Sequence, residues 1–561
     1  MNGALHAGLL DLVGQTPLYT LVGPPGTGKT TRLTGMVHDA VDAGWEVLIA
    51  SLTKTAAREV AGRQLPIHEH RIGTLHAHAY RALGGVNIAE GKEGLQSWSD
   101  WVKDHGLPYG WELSGGRPPS PDEPKDGEIG SADSDERTEG DALYEQIGVL
   151  RSRLTPEESW PVSLRAFFQA WREWKNEALF TDFEDLIERC AVEDVPPAIP
   201  FDALYVDEAQ DLSASEIRLC ATWARHARAF VVVGDPRQAL YQWRGSDPEL
   251  FGELIRTSKK TDVLRQSYRV PRAVHGAAVS WVSQLRDGID AEYLPTSDDG
   301  GIQRSAVTLR RPEIAVQDVE SALERGESTM LLAACSYQLR PLISVLRARG
   351  IPFHNPYRVA RGDWNPLARP HSPTSAAGRL VAFSRVDTDV WADEARPWTA
   401  KELAGWTDAL PADMFVRGGK TAIKKAAAEK NGAGMTLERF AEYVPSRETL
   451  AAMLYGDLRW YRDHMVPKAA KGSAFALSIA DRQGVRALLE TPKTIVGTCH
   501  SVKGGEADCV YLWPDLSPSG YADWCDSTTR GQIVRQMYVG MTRARRSLVL
   551  GGASGGTAVT W

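Results

Sequence analysis

Short apolar runs, separated by stretches with helical spacing, recur along the chain and predict strands of a buried parallel sheet. The first two runs, at 18–22 and 47–50, flank a stretch from Thr30 to Ala43 with helical spacing, which makes a β-α-β unit. Further apolar runs lie at 203–206, 230–233, 330–334, 494–497, 509–512 and 547–550. Strands that alternate with helices are typical of α/β proteins, and the grouping of these runs predicts that architecture twice.

Two stretches break this alternation and are predicted as mostly helical insertions. Residues 86–180 hold an acidic segment near 114–141, rich in Pro, Gly and Ser, which we interpret as a mobile spacer. A Trp-rich helical pattern follows it, and residues 386–489 are rich in Ala, Lys and Arg. The predicted domains are a first α/β domain from 1–85 and 181–275, its insertion at 86–180, a second α/β domain from 276–385 and 490–561, and its insertion at 386–489.

Composition indicates a protein of the cytoplasm. Hydrophobic residues make up 43% and charged residues 24% of the 561, which is ordinary for a soluble globular protein. The six cysteines include no Cys-x-x-Cys pair, which argues against a disulfide framework, a zinc ribbon or an iron–sulfur cluster. The first residues lack the basic and apolar regions of a signal peptide, and no apolar run approaches the ~18 residues of a membrane span. We therefore predict a cytoplasmic protein with no membrane contact, nucleoid-associated in a bacterium or in the host cytoplasm for a phage.

The net charge of −8 is unusual for a nucleic-acid-binding protein, but most of it is local. The stretch from Pro121 to Asp141 carries nine acidic and two basic residues, so it accounts for −7 of the total. The remainder of the chain is close to neutral. Overall charge therefore does not exclude a basic groove for a polynucleotide.

The segment GPPGTGKT at 23–30 matches a phosphate-binding loop between a strand and a helix. Its glycines let backbone N–H groups point at phosphate oxygens, and the following helix adds its positive end. Lys29 is expected to reach the β- and γ-phosphates, and Thr30 to bind Mg²⁺. The alternative is a plain glycine-rich turn. The predicted nucleotide-binding residues are Gly23, Pro24, Pro25, Gly26, Thr27, Gly28, Lys29, Thr30 and Thr31.

The segment ALYVDEAQD at 203–211 ends an apolar strand with two carboxylates. A parallel strand would deliver both to the sheet edge that also carries the phosphate-binding loop. Asp207 is then predicted to hold Mg²⁺, and Glu208 to orient and deprotonate the attacking water. Taken alone, the Asp-Glu pair could equally cap a helix.

Seven further segments resemble, in order, the motifs of superfamily 1 helicases of the UvrD/Rep/PcrA group. They are SLTKTAAREV at 51–60, GTLHAHA at 73–79, TDFEDLI at 181–187, VVVGDPRQALYQWRGSDP at 231–248, LRQSYRVP at 264–271, GTCHSVKGGEADCVYL at 497–512 and QMYVGMTRARRSLVL at 536–550. The resemblance covers most of the chain. It implies two RecA-like P-loop domains with parallel sheets, each carrying a mostly helical insertion.

The resemblance also implies roles around ATP. Gln238 would contact the γ-phosphate and sense hydrolysis. Arg269 and Arg543, from opposite lobes, would neutralise charge on the transferred phosphoryl group. Tyr268 would stack on the adenine, and Glu506 would contact the ribose. The implied cofactors are ATP and Mg²⁺.

A DNA-binding role is implied for aromatic residues that closely follow Gln238. Trp243 and Tyr241 would stack on bases, although the alternative for Trp243 is a place in the core. Weaker predicted contacts are Thr53, Thr74, His76, Arg244, Thr498, His500 and Lys503. The spacing of His68, His70, His76 and His78 is not a standard zinc pattern, and we predict no metal there.

The chain departs from the family pattern in places. We find no L-N-x-x-Q motif before the phosphate-binding loop, which puts selectivity for adenine in doubt. Leu52 and Thr55 occupy the places of the family's aromatic residue and lysine, so one stacking site is expected to be lost. Ser267 and Gly505 replace an Asn and a Leu.

The resemblance predicts an ATP-dependent helicase that moves 3′→5′ on single-stranded DNA and unwinds duplex. The alternatives are a translocase that displaces proteins with little unwinding, a nucleotide-gated DNA-binding module, and a motor that acts on RNA. Single-stranded DNA and single/double-strand junctions are the expected partners of a monomer, and a protein loading factor is left open. Repair, replication, recombination and phage DNA metabolism all remain open as pathways.

Overall fold

Contacts within the chain divide it into two compact units. The computed structural model describes residues 2–52, 57, 61–63, 65–108, 110–114, 138–285, 292–359, 361–367, 370–385, 398–428 and 437–561. The first unit comprises Met1–Ala306, Leu332–Gln338 and Thr498–Trp561, and the second comprises Val307–Leu331 and Leu339–Gly497.

The strands belong to two six-stranded sheets and one two-stranded sheet. Their bounds are β1 Leu18–Val22, β2 Val47–Ser51, β3 Ile72–Thr74, β4 Asn87–Ile88, β5 Phe180–Thr181, β6 Ala203–Asp207, β7 Ala229–Gly234, β8 Lys260–Val263, β9 Gly301–Arg304, β10 Thr329–Ala333, β11 Phe353–His354, β12 Thr494–Thr498, β13 Ala507–Leu512 and β14 Ala544–Leu550.

The helices of the described residues connect these strands or form the two insertions. Their bounds are α1 Asn2–Val13, α2 Lys29–Asp42, α3 Leu75–Ala82, α4 Lys92–Asp104, α5 Glu139–Ser152, α6 Val162–Ala178, α7 Phe183–Val192, α8 Ala214–Ala224, α9 Pro248–Thr257, α10 Arg272–Val282, α11 Glu313–Glu324, α12 Arg340–Ala348, α13 Ala376–Ser384, α14 Ala400–Thr407, α15 Gly419–Ala428, α16 Leu437–Ala441, α17 Arg447–Tyr455, α18 Leu458–Asp463, α19 Pro467–Gln483, α20 Pro518–Cys525 and α21 Arg530–Met541.

The first large sheet has the strand order β3-β2-β6-β7-β1-β8, and the second has the order β11-β12-β10-β13-β14-β9. The pairing of β1 with β7 and with β8 is parallel, as is that of β13 with β14. Each apolar run predicted as a strand lies in one of these sheets. The strands that we did not predict are short or partly polar and lie at sheet edges or in the two-stranded sheet, where a continuous apolar run is not required.

Both faces of the first sheet are buried, which explains its continuous apolar strands. Alternate residues of β2 point to opposite faces. Leu48 and Ala50 pack in a core that includes α1, α7 and α8, and Val47 and Ile49 pack with residues of α2. The sheet is therefore held rigidly, and its strand ends are fixed points for functional side chains.

The first insertion is a small helical domain between β4 and β5, and its core is aromatic. Trp98 packs edge-on against Phe167 and Trp171, with ring centroids 5.7 and 5.0 Å apart. The predicted spacer at 114–141 extends too far, because helix α5 begins at Glu139. Thr138 and Asp141 form a capping box there, which favours a helix start over a loop. The rest of the acidic segment, at 115–137, lies outside the described residues.

The second insertion lies between β11 and β12 and is helical where it is described, as predicted. Trp406 and Tyr461 are fully buried in its core. The chain is therefore an α/β protein with two RecA-like domains, parallel sheets and a mostly helical insertion in each. Among the described residues, no helix combines the length and the apolar composition that a bilayer span requires. The residue boundaries given above for the domains remain predictions.

Candidate active site

The phosphate-binding loop joins β1 to α2 in a tight curl that needs its glycines. Gly26 and Gly28 have φ angles of +74° and +81°, which side chains rarely adopt. A Cβ atom at Gly23 would overlap the Thr27 hydroxyl. The loop therefore has room for phosphate oxygens and little room for side chains, so its geometry fits a bound nucleotide.

Hydrogen bonds from Ser267, Tyr268 and Tyr293 hold the phosphate-binding loop in place. The Tyr268 N–H donates to the Gly26 carbonyl at 2.8 Å, and the Ser267 and Tyr293 hydroxyls each donate to the Pro25 carbonyl at 3.0 Å. The ring of Tyr268 is nonetheless 79% exposed. The predicted adenine-stacking residue therefore lies beside the loop with a face open to a base.

Lys29 sits among carboxylates. Its ammonium donates to the Gly23 carbonyl at 2.8 Å and acts electrostatically on Glu208 and Asp235. Burial acts to raise the pKa of Glu208, but Lys503 and Lys29 outweigh it and lower the pKa to about 2. Burial raises the pKa of Asp235 even though Lys29 opposes the change.

Asp207 is the last residue of strand β6 and Glu208 follows it, at the same sheet edge as the phosphate-binding loop. Glu208 has a φ of +55°, a left-handed conformation that costs a non-glycine residue ~1–3 kcal/mol. Its N–H donates to the Asp207 carboxylate at 2.9 Å, and its own carboxylate accepts from the Gln210 amide at 2.5 Å. Strained backbone of this kind clusters at active sites and ligand clamps, which agrees with the role predicted for Glu208.

Arg543 is fully buried and its guanidinium is aimed by several acceptors. Nε donates to the Val539 carbonyl at 2.8 Å, Nη1 to the Gly505 carbonyl at 3.3 Å, and Nη2 to the Gln238 amide oxygen at 3.0 Å. The Gln238 amide N–H in turn donates to Asp235 at 2.7 Å. The structure thus joins a predicted phosphoryl-contacting cation directly to the predicted γ-phosphate sensor.

Arg269 and Glu506, both predicted to contact the nucleotide, contact each other. Arg269 Nε donates to Glu506 Oε2 at 2.7 Å, and Arg545 lies 3.4 Å from the other carboxylate oxygen. Partial burial would raise the pKa of Glu506, but the Arg269 contact outweighs it and the pKa is lowered. The two residues are therefore held side by side, through Nε of Arg269.

The predicted DNA-contact segment is only partly exposed. Tyr241 is buried and meets Trp243 edge-on, with ring centroids 6.4 Å apart. Trp243 is half-buried, and its indole N–H is buried without a hydrogen-bond partner. Arg244 pairs with Glu216 at 3.2 Å. His76 is buried beside Glu216, and burial, with Arg244, lowers its pKa well below 6.5.

The segment from Gln242 to Arg244, which carries Trp243, is hydrogen-bonded to the end of helix α5. The Ser152 hydroxyl donates to the Arg244 carbonyl and Arg153 Nη2 to the Gln242 carbonyl, both at 3.0 Å. Gly245 has a φ of +103°, and a Cβ there would overlap the Ser152 hydroxyl. The insertion therefore takes part in fixing the position of Trp243.

A buried ionic cluster of Arg151, Lys175, Asp182, Asp185 and Glu188 holds that end of α5. Arg151 Nη1 donates to both Asp182 oxygens at 3.0 and 2.8 Å, and Lys175 donates to Asp182 at 2.6 Å. Burial would raise the pKa of Asp182, but Arg151 and Lys175 lower it well below its usual range. The cluster gives the segment TDFEDLI a structural role that the sequence did not reveal.

The remaining predicted DNA contacts are mostly inside the protein. Thr74 is buried and caps helix α3 by accepting from the Ala77 N–H at 3.1 Å. Thr498 and His500 are also buried, and Lys503 is paired with carboxylates. Thr53 lies outside the described residues.

The histidines show no metal site. His68 and His70 face each other with nitrogens 2.6 Å apart, whereas His78 bonds the Ile49 carbonyl at 3.0 Å. Nowhere in the part of the chain that the structure describes do three His, Cys, Asp or Glu side chains form a group that could hold a metal ion.

Two acids of the site, Asp211 and Asp235, had no predicted role. Asp211 accepts from the Leu240 N–H at 2.9 Å and pairs with Lys503. Both acids lie inside the motifs DEAQD and VVVGD. Both acids are buried because segments that are distant along the chain pack around them, which the motifs alone do not show.

Comparisons with known proteins agree with the resemblance inferred from the motifs. A family model described as "AAA domain" matches residues 10–244. The chain is 22% identical to YjcD of Bacillus subtilis (strain 168) over 58% of this chain and 44% of that protein. It is 27% identical to the ATP-dependent DNA helicase PcrA of the same organism over 52% of this chain and 40% of that protein. The chain thus covers less than half the length of these curated relatives.

Proposed function

We propose that this chain, a UvrD/PcrA-like superfamily 1 protein, is an ATP-driven motor that moves along single-stranded DNA. The observation that carries the proposal is the hydrogen bond from Arg543 to Gln238 at 3.0 Å. Gln238 lies five residues before Trp243, the predicted base-stacking residue. A change at a bound triphosphate therefore has a short route to a bound base.

The chain's own residues fit the chemistry of ATP hydrolysis. ATP would supply the phosphoanhydride bond, and Mg²⁺ the charge neutralisation, with Thr30 and Asp207 as its protein ligands. Lys29 and the loop N–H groups would bind the phosphates, and Glu208 would orient the attacking water and take its proton. Arg543 and Arg269 would stabilise charge on the transferred group.

Alternating grip on DNA would convert hydrolysis into movement. Stacking of a base on an aromatic side chain contributes ~1–3 kcal/mol and tolerates any sequence, which suits a motor. Trp243 is partly buried and packs against the core, so its orientation follows that of the core segment. The W-R-G form of this segment supports 3′→5′ movement. Single/double-strand junctions are the expected substrates of such a motor.

The deciding experiment is steady-state ATPase activity with and without saturating single-stranded DNA. We expect strong stimulation in the wild type and almost no activity in Glu208→Gln, which keeps the size of the side chain. Single-stranded RNA in parallel assays tests the choice of polymer. Equal rates with and without any polynucleotide would contradict a motor function.

A second candidate is a translocase that displaces proteins but unwinds poorly. Leu52, at the position of the family's aromatic residue, is only 2% exposed and packs in the core, so it offers no stacking surface. Strand displacement on a 3′-tailed duplex and streptavidin removal from a biotinylated strand separate the two. Streptavidin removal without unwinding would select the translocase.

A further inference from the structure

Two buried hydroxyl groups converge on one carbonyl of the phosphate-binding loop. The hydroxyls of Ser267 and Tyr293 each donate to the Pro25 carbonyl at 3.0 Å, and all three residues are buried. A carbonyl oxygen has two lone pairs, so these donors fill both. The direction of the Pro25 carbonyl is therefore fixed by side chains from outside the loop.

The serine is itself held in the orientation that lets it donate. The Ser267 hydroxyl accepts from the N–H groups of Arg269 at 3.3 Å and Val270 at 3.0 Å. These two bonds occupy both lone pairs of the hydroxyl, so its proton is left for the loop carbonyl. The Ser267 N–H donates to the Leu294 carbonyl at 2.8 Å, which joins this segment to the one that carries the tyrosine.

The direction of the Pro25 carbonyl decides the direction of the next N–H group. The Pro25–Gly26 peptide bond is trans, and in a planar trans peptide the C=O and N–H groups point in opposite directions. The Gly26 N–H therefore points away from Ser267 and Tyr293. Among the residues that the structure describes, it donates to no protein atom. It is thus available to a phosphate oxygen, the ligand that N–H groups of such loops bind.

The two prolines of the loop explain why carbonyl contacts matter here. Pro24 and Pro25 have no N–H groups, so hydrogen bonds can hold this stretch only through its carbonyls. The Pro24 carbonyl accepts from the Thr27 hydroxyl at 2.8 Å, inside the loop itself. Only the Pro25 carbonyl is tied by side chains from another segment. A second donor adds a restraint on direction beyond the single bond that a buried carbonyl requires.

We propose that Tyr293 and Ser267 are positioning residues that orient the Pro25–Gly26 peptide so that the Gly26 N–H meets a phosphate oxygen of the bound nucleotide. The inference rests on the proposed function and names a residue, Tyr293, that belongs to none of the helicase-like segments. The phosphate contact would be made equally in the bound state and in the transition state. Its loss should therefore raise KM for ATP and leave kcat nearly unchanged.

The test measures the Kd of a fluorescent ATP analogue and the KM for ATP in the full chain. Tyr293→Phe and Ser267→Ala should each raise both constants roughly two- to tenfold, the loss expected for one hydrogen bond. The double variant should lose more than the product of the two, because no donor would then direct the carbonyl. Tyr293→Phe is decisive alone if Ser267→Ala does not fold.

The matched control is Tyr461→Phe in the core of the second insertion. The buried Tyr461 hydroxyl also donates to a backbone carbonyl, that of Trp406 at 2.7 Å. This variant should lose stability in thermal unfolding and still bind the ATP analogue like the wild type. An equal loss of nucleotide affinity in Tyr461→Phe would reduce the effect to general destabilisation and overturn the proposal.

Inorganic tripolyphosphate, which has no base, tests whether the effect lies at the phosphates. Its inhibition constant against the ATP analogue should rise in Tyr293→Phe by the same factor as the Kd of the analogue. An unchanged constant would move the effect to the base, beside Tyr268, and would overturn the role in the loop.

The outcomes also separate this inference from the proposed function. A wild type whose ATPase DNA does not stimulate defeats the motor function, whereas the binding assay, which needs no turnover, still tests the loop. Wild-type nucleotide affinity in Tyr293→Phe overturns the role of its hydroxyl. A lowered kcat with an unchanged KM overturns the assignment to phosphate binding.

Discussion

The contact between Arg543 and Gln238 allows a quantitative prediction of how far their effects on ATP hydrolysis depend on each other. The guanidinium is buried, and Gln238 supplies one of its acceptors at 3.0 Å. We consider Gln238→Ala, which removes that acceptor, and Arg543→Lys, which keeps the charge. A lysine cannot form the guanidinium's fork of hydrogen bonds, so its ammonium would no longer be aimed.

The structure indicates the size of each effect. Arg543 also donates to the Val539 and Gly505 carbonyls, so Gln238→Ala leaves it partly held. A hydrogen bond to a charged group contributes ~1.5–3 kcal/mol, which sets the loss for Gln238→Ala at about 10- to 150-fold. Misplacing an arginine that stabilises phosphoryl transfer costs about 10³-fold or more. Once Arg543 is replaced, most of the effect of Gln238 should already be lost.

The assay is the DNA-saturated kcat for ATP hydrolysis of the wild type, both single variants and the double variant. We expect the double variant to be only slightly slower than Arg543→Lys, with a coupling energy of about 1–2 kcal/mol. Arg546→Lys, three residues along the chain and 68% exposed, is the control and should behave like the wild type. Thermal unfolding of each variant checks that the fold is intact. Fully additive losses would refute the reasoning, because they would mean that Gln238 acts without Arg543.

Three more predictions concern the loop and the insertion. Gly26→Ala should abolish nucleotide binding, measured with a fluorescent ATP analogue, because φ is +74° and the new Cβ would lie 2.5 Å from the Arg269 Cβ. Arg151→Met should cost ~3–5 kcal/mol in urea unfolding, since it leaves the buried Asp182 without its main partner, and a loss under 1 kcal/mol would contradict the ionic cluster's role. Burial and Asp182 raise the pKa of Glu90 from 4.5 to about 8, so the folded protein retains a proton there that the unfolded chain releases. Stability should therefore fall as the pH rises from about 5 to 8, and Glu90→Gln should be more stable than the wild type at pH 9 while matching it at pH 4.

The local sequence pattern was enough to predict the central strands and the main motifs of the candidate active site. The apolar runs predict the central strands because residues buried on both faces of a sheet must be apolar. The phosphate-binding loop and the Asp207–Glu208 pair are equally visible, since each is a short segment whose backbone geometry needs particular residue types. Leu48 and Val47 illustrate the limit, because a strand pattern predicts that they are buried on opposite faces but not which helices cover each face.

Tertiary structure alone decided which side chains meet. Arg151 and Asp182 lie 31 residues apart, and Lys503 and Asp211 lie 292 apart, yet each pair forms a buried contact. Tyr241 and His76, predicted to touch DNA, are buried, and Lys503 faces carboxylates. Motif spacing reports the local backbone, whereas the partner of a buried charge is set by how distant segments pack. A charge removed from water must find an opposite charge wherever the fold brings one, and no local pattern records that choice.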